Sequence, residues 1–106
     1  MSMQGTFISV ILPLKIDWEP IYSLSDESVS VGQRVCVLFS GKEYIGVVSQ
    51  TGVTPDFDTS RILPIKSIED GMPPILENEI KLWRQVARYY LCTVGEVYRA
   101  AYPSLK

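Results

Sequence analysis

The stretch Leu82–Pro103, LWRQVARYYLCTVGEVYRAAYP, decides the fold of this 106-residue chain. Apolar residues recur at helical spacing through its first half, which predicts a helix with one apolar face. That face comprises Ile80, Trp83, Ala87, Tyr90 and Leu91, and the opposite face carries Lys81, Arg84, Gln85 and Arg88. We interpret Tyr89 and Tyr90 as core or boundary residues rather than as a platform for stacking on bases.

The helix is predicted to stop and restart at Thr93. Thr93 and Glu96 have the spacing of a capping box, in which the threonine hydroxyl accepts from the amide of Glu96 and the glutamate reaches back to the amide of Thr93. Pro103 ends the second helix. The apolar face of this second helix comprises Val94, Val97, Tyr98 and Ala101. An angled helical pair needs a surface to pack on, and the preceding chain supplies strands.

Residues before the helices predict a small antiparallel sheet. Strand patterns occur in FISVIL (7–12), IYSL (21–24), RVCVLF (34–39), YIGVVS (44–49) and RILPIKSI (61–68). Pro64 restricts the last of these to a sheet edge or a break, and Gly46 indicates a bulge or the close approach of another backbone. Residues 40–43 form a hairpin loop in which Gly41 can adopt a left-handed conformation.

Short strands followed by helices predict an α+β fold. We expect a small antiparallel β-barrel or half-barrel over residues 1–72, followed by a C-terminal pair of helices over residues 73–106. The segment Glu69–Pro74, rich in glycine and proline, marks the boundary between the two parts.

The composition restricts the possible functions. The net charge is −2 and the chain has no histidine, so imidazole is absent as a base, proton shuttle or metal ligand. Cys36 and Cys92 are too few for a four-ligand zinc site and are interpreted as free thiols. We recognise neither a leader peptide nor a membrane-spanning run, and expect a cytoplasmic protein. Because the chain is not basic, any contact with nucleic acid must be local.

The motifs that resemble catalytic or nucleotide sites are weak. Gly41-Lys42 fails as a phosphate loop because Glu43 follows it and strands flank it on both sides. The acidic pairs Asp56/Asp58 and Asp17/Glu19 lack further ligands, which favours solvated loops. The basic run Lys81–Arg88 could contact phosphates, but a solvated helix face is favoured. The sequence shows no constellation of acid, base and nucleophile, so an enzyme is the least favoured class.

The best local candidate for a binding surface is a strand–loop set that mixes aromatic rings, accessible backbone and positive charge. It comprises Trp18, Tyr22, Ser40, Gly41, Lys42 and Arg61. These are the ingredients of a site for single-stranded nucleic acid.

The order and spacing of several motifs also resemble a known family. Trp83, Ala87, Tyr89, Tyr90, Gly95, Glu96, Val97, Ala101 and Pro103 match a Trp-x-x-x-Ala-x-Tyr-Tyr helix, a Gly-Asp/Glu-Val helix and Ala-x-Pro. Val10–Leu14, Val31–Phe39, Tyr44–Val48 and Pro64–Asp70 match the preceding segments. Over nearly its whole length, the chain resembles the N-terminal domain of the PriA family, bacterial replication-restart helicases.

The resemblance implies a non-catalytic DNA-binding domain. In that family a shallow pocket captures the 3′ end of the nascent leading strand at a stalled fork, with little sequence preference. It implies no cofactor in this segment, since ATP, Mg and Zn belong to helicase domains further along the chain. The implied partners are DNA, those helicase domains and other replication-restart proteins, with no membrane. We therefore expect this chain to be a fragment of a larger enzyme.

The pocket residues implied by the resemblance depend on the alignment. One alignment places Pro20-Ile21-Tyr22 on the family's Phe-Asp-Tyr motif and loses its carboxylate. Another places Ile16-Asp17-Trp18 there and restores it, with an insertion before Gly32. The first predicts a site of Ile21, Tyr22, Ser40, Gly41, Lys42, Arg61 and Lys66. In it, Tyr22 stacks on the base, the Ser40-Gly41 backbone meets the ribose, and the cations neutralise phosphates.

A rival hypothesis from another class remains open. An exposed strand edge or the loop that carries Trp18 could dock a peptide or a second protein domain. The acidic net charge favours this reading, and the family resemblance opposes it.

Overall fold

A computed structural model describes residues 6–16, 18–24, 29–55, 62–69, 71 and 73–102. Its elements are β1 (Thr6–Ile11), β2 (Ile21–Leu24), β3 (Arg34–Phe39), β4 (Lys42–Thr51), β5 (Ser67–Ile68), α1 (Glu77–Tyr90) and α2 (Val94–Ala101). The strands form one sheet in the order β2-β1-β4-β3-β5, with antiparallel neighbours throughout. The predicted α+β fold, a half-barrel followed by a helical pair, is confirmed. No helix in the described ranges is long and apolar enough to cross a bilayer.

The last strand is shorter than the sequence predicts because the chain changes partner within it. Ser23 donates its amide to the carbonyl of Leu63 (3.0 Å) and accepts from the amide of Ile65 (3.1 Å). The next amide, that of Lys66, instead donates to Cys36 in β3 (2.8 Å). Pro64, which has no amide proton, lies beside Ser23 between these bonds. Residues 62–69 therefore connect β2, at one edge of the sheet, with β3 near the other edge.

The β3–β4 hairpin is tighter than predicted. Ser40 and Gly41 alone connect the strands, with φ angles of 52° and 80°. Two successive residues with positive φ are typical of the turn that matches the twist of a hairpin. Gly46 is explained by close approach, since a Cβ there would meet the side chain of Val10 and lie 3.1 Å from the carbonyl oxygen of Ile11.

Two apolar clusters hold the domain together. The first fills the curved sheet and comprises Ile8, Val10, Leu12, Tyr22, Leu24, Val35, Val37, Val48 and Ile65. The second joins the sheet to the helices and comprises Ile11, Val47, Ile75, Ile80, Trp83 and Tyr98. Trp83 stacks on Tyr98 with ring centroids 5.2 Å apart, and the Tyr98 hydroxyl donates to the carbonyl of Ile45 (3.0 Å). β1 contributes to both clusters, as its doubly apolar sequence predicts.

The joint between the helices confirms the predicted capping box. Glu96 donates its amide to Thr93 Oγ1 (3.3 Å), and Thr93 donates its amide to Glu96 Oε1 (3.0 Å). The predicted apolar face of α1 is correct for Ile80, Trp83 and Ala87.

The apolar faces predicted for the two helices are wrong at the C-terminal ends, where the residues assigned to them are exposed. Tyr90 is 69% exposed because it lies in the last turn of α1, beyond the part of that helix that packs on the described sheet. Leu91 is 93% exposed because it leaves the helix and adopts a left-handed conformation (φ 56°). Ala101 is likewise exposed, as the last residue of α2.

Replacing Leu91 with glycine is expected to stabilise the domain. A left-handed conformation costs an L-residue roughly 1–2 kcal/mol, whereas the greater freedom of glycine in the unfolded chain costs about 0.5–1 kcal/mol. The net gain expected is about 0.5–1 kcal/mol, because little apolar burial is lost at this exposed position. Urea unfolding measures it. Leu91→Ala is the control, since it removes the same side chain but keeps the Cβ; equal gains in both variants would contradict the explanation.

Candidate nucleic-acid interface

An exposed tryptophan lies beside the β3–β4 turn. Trp18 is 56% exposed, and its ring centroid lies 5.8 Å from that of Phe39 at an angle of 55°. Phe39 is the last residue of β3 and directly precedes Ser40 and Gly41. A Cβ on Gly41 would meet no atom of the described residues within 4 Å, so the turn points away from them. We call Trp18, Phe39, Ser40 and Gly41 the Trp18 site.

The structure corrects the role predicted for Tyr22. Its side chain belongs to the sheet core and is only 3% exposed, so neither ring face is available for stacking on a base. The Tyr22 hydroxyl donates to the carbonyl of Leu38 (2.6 Å), and burial raises the pKa of Tyr22 to about 12. Tyr22 thus lies on the core side of β3 and is hydrogen-bonded to it just before the β3–β4 turn. The neighbouring Ile21 is half-buried in β2.

The predicted cations have different surroundings. Lys42 is exposed at the first position of β4, directly after the turn. Lys66 donates to the carboxylate of Glu43 (2.7 Å), and both side chains are largely exposed. This bond raises the pKa of Lys66 and lowers that of Glu43. A phosphate would therefore compete with Glu43 for Lys66. Arg61 lies outside the described residues.

The structure therefore brings together Ser40, Gly41 and Lys42 at the turn, with Lys66 held by the residue after Lys42. It does not expose Tyr22. Asp17, the carboxylate of the second alignment, also lies outside the described residues. Within the described ranges, no group of histidine, cysteine, aspartate or glutamate side chains could hold a metal ion.

Sequence reasoning missed a polar network next to Trp18. The carboxylate of Glu19 accepts from Ser49 Oγ (2.7 Å) and from both terminal nitrogens of Arg84 (2.7 and 3.2 Å). From the sequence, Glu19 is recognised only as half of an acidic pair, and Arg84 only as part of a solvated helix face. They are 65 residues apart in sequence, so no local pattern could join them.

This network is ionised at neutral pH. Burial raises the pKa of Glu19, but the hydrogen bonds from Arg84 and Ser49 and the charge of Arg84 outweigh it, so the pKa lies below its ordinary value of 4.5. Because the folded-state pKa is lowered, the stabilisation is present above pH 4.5 and is lost as the pH falls through the lowered value. Near neutral pH the carboxylate therefore stays charged.

A cavity of about 220 Å³ lies between the Trp18 segment and the helical joint. Ile16, Trp18 and Glu19 form one wall, and Arg84, Cys92 and Thr93 form the other. Trp18 therefore borders a concave surface on the side of the helices and contacts Phe39 on the side of the sheet.

An exposed aromatic ring beside a backbone turn and Lys42 fits one class of protein, a module that binds nucleic acid. The family-model comparison gives the particular family: the 3′ DNA-binding domain (3′BD) of PriA matches residues 9–103. The chain belongs to this family. It is a DNA-binding module of the replication-restart helicase type and not a catalytic domain.

Proposed function

We propose that this domain captures the 3′ end of the nascent strand at a stalled replication fork, with the terminal nucleotide held at the Trp18 site. The observation that carries the proposal is the position of Trp18, which is exposed and lies against Phe39 next to the turn. The parent protein is proposed to be an ATP-dependent helicase of the cytoplasm. Its further domains and other replication-restart proteins are the proposed partners besides DNA.

In the proposed mechanism, Trp18 has the stacking role that the sequence analysis predicts for Tyr22. The terminal base stacks on the exposed indole, and the ribose approaches the Ser40-Gly41 backbone, where Gly41 has no side chain and the described residues leave room. Lys42, Lys66 and Arg61 neutralise the last phosphates. The position of Trp18 favours the alignment of Ile16-Asp17-Trp18 on the Phe-Asp-Tyr motif, and in that alignment Asp17 accepts a hydrogen bond from the sugar or base.

The first test compares two short labelled single strands by fluorescence anisotropy at low salt, one ending in a 3′-hydroxyl and the other in a 3′-phosphate. We expect preference for the hydroxyl end, since a terminal phosphate adds bulk and negative charge where a ribose hydroxyl should fit. Affinity should be on the order of micromolar, with a shallow salt dependence of about one to three ions, because few cations border the site.

Other results of this experiment would contradict the proposal. Equal binding of the two strands would leave only a non-specific phosphate contact. No binding of either strand would favour a surface that binds protein.

A further inference from the structure

Glu19 connects three parts of the fold at one carboxylate. It lies next to Trp18 in the loop of residues 12–20, which we call the Trp18 loop. Its hydrogen bonds reach Ser49 in β4 and Arg84 in α1. The Glu19 side chain is 22% exposed and that of Arg84 is 41% exposed. We call the side chains of Glu19, Ser49 and Arg84 the Glu19 lock.

A β-bulge supplies the sheet member of the lock. In the pairing of β1 with β4, Ser9 lies opposite Gln50, whereas Val10 lies opposite Val48. Ser49 is therefore the extra residue, and its hydroxyl donates to Glu19. Bulges commonly redirect a side chain next to a functional site.

The helix member makes a two-pronged contact. Two nitrogens of the Arg84 guanidinium donate to the two oxygens of Glu19, a geometry that fixes orientation as well as distance. Among the described residues, backbone bonds in this connection run from Leu14 to Leu12, from Ile16 to Leu14 and from Val10 to Pro20. Because Glu19 directly follows Trp18, the side-chain contacts of the lock act next to that ring.

We propose that the Glu19 lock is a positioning element for DNA binding. It holds Trp18 against Phe39 and the β3–β4 turn already in the DNA-free protein. This inference rests on the proposed function of the Trp18 site. Without the lock, the loop must be ordered during binding, and this ordering weakens the affinity. Arg84 then acts on DNA through Glu19 rather than by touching a phosphate.

The direction in which Glu19→Gln changes the DNA affinity distinguishes these two roles of Arg84. Glu19→Gln removes a negative charge and releases Arg84. If Arg84 contacted phosphate, this variant would bind single-stranded DNA more tightly. If the lock positions Trp18, the variant should bind the 3′-hydroxyl strand about five- to tenfold more weakly, despite the more favourable charge.

Changes at Arg84 give the complementary readouts. Arg84→Met should weaken binding to a similar degree without changing the salt slope, whereas loss of a phosphate contact would reduce the slope by about one ion. Arg84→Lys keeps the charge but not the fork, so it should recover only part of the affinity. The Glu19→Gln/Arg84→Met double variant should bind no more weakly than the weaker single variant, because both changes break the same contact.

Glu79→Gln is the matched control. It alters a carboxylate that accepts from the Tyr102 hydroxyl (3.0 Å), a bond within the helical region. It should leave DNA affinity unchanged. Acrylamide quenching reports the loop itself, because Trp18 is exposed and the other tryptophan, Trp83, is buried. Quenching should rise in Glu19→Gln and not in Glu79→Gln.

The outcomes distinguish this inference from the proposed function. A wild type without preference for the 3′-hydroxyl strand contradicts the proposed function and, with it, the inference. A wild type with that preference, together with lock variants that keep full affinity or bind more tightly, overturns the inference alone. Equal weakening by Glu79→Gln would also overturn it, since the effect would then be one of general stability.

Discussion

Trp18→Ala is expected to abolish most of the binding to 3′-ended single strands while leaving the domain folded. Stacking of a base on an aromatic side chain contributes roughly 1–3 kcal/mol, which corresponds to roughly a five- to 150-fold loss of affinity. The free energy of unfolding should change little, by about 0.5 kcal/mol or less, because more than half of the side chain is already exposed. Anisotropy titration and urea unfolding of the same preparation measure both quantities.

The matched control for this prediction is Tyr89→Ala. Tyr89 is also an exposed aromatic residue, 79% accessible, but it lies on α1 and pairs with Tyr90 at a centroid distance of 4.9 Å. Its removal should leave DNA affinity unchanged. The reverse result would place the stacking surface on the helix: Tyr89→Ala would then lose binding, and Trp18→Ala would bind like the wild type. Trp18→Phe should retain part of the affinity, since it keeps a smaller ring.

Gly95→Ala is expected to destabilise the domain by about 3 kcal/mol, within the range measured for overpacking. In an isolated helix the same change would stabilise by about 1 kcal/mol, because alanine is the better helix former. Gly95 lies in the first turn of α2, where a Cβ would collide with the carbonyl oxygens of Leu12 and Leu14 and lie 3.1 Å from the Leu14 amide nitrogen. Tertiary contact therefore reverses the sign of the local preference.

The collision at Gly95 cannot be relieved by a rotamer change, because its partners are backbone atoms. Leu12 is 1% exposed in the sheet core, and the Leu14 carbonyl accepts from the Thr93 hydroxyl (3.4 Å), so this stretch of backbone is fixed on both sides. Ala100→Gly, at an exposed position of the same helix, is the control and should cost only about 1 kcal/mol. If Gly95→Ala is as stable as wild type, α2 must be able to move away from the loop.

Much of the fold could be predicted because its signals are local. Period-2 alternation in β3, helical spacing in α1 and the Thr93/Glu96 cap each act over a few residues. The errors at Tyr90 and Leu91 have a common origin: a helical period shows which residues share a face, but not where the neighbouring elements cease to cover it.

The candidate site was less accessible to sequence reasoning. Alternation in IYSL places Tyr22 and Leu24 on one face of β2, yet it does not say whether that face points into the sheet or out of it. Only the packed structure shows that Tyr22 fills the core and that Trp18 offers the exposed ring. The family motif can be aligned on either segment, with a lost carboxylate in one case and an insertion in the other, so the sequence alone does not choose between them.

By itself, the sequence determined the order of strands and helices, the capped joint and the membership of the PriA 3′ DNA-binding domain family. These depend on backbone preferences and on side chains within a few positions of one another. The tertiary structure alone decided that Ser49 and Arg84 meet Glu19, 30 and 65 residues away. It also shows that the position of Gly95 has no room for a Cβ, because the backbone of Leu12 and Leu14 packs against it. Such contacts form only when separate elements pack, because their geometry depends on how the whole chain folds back on itself.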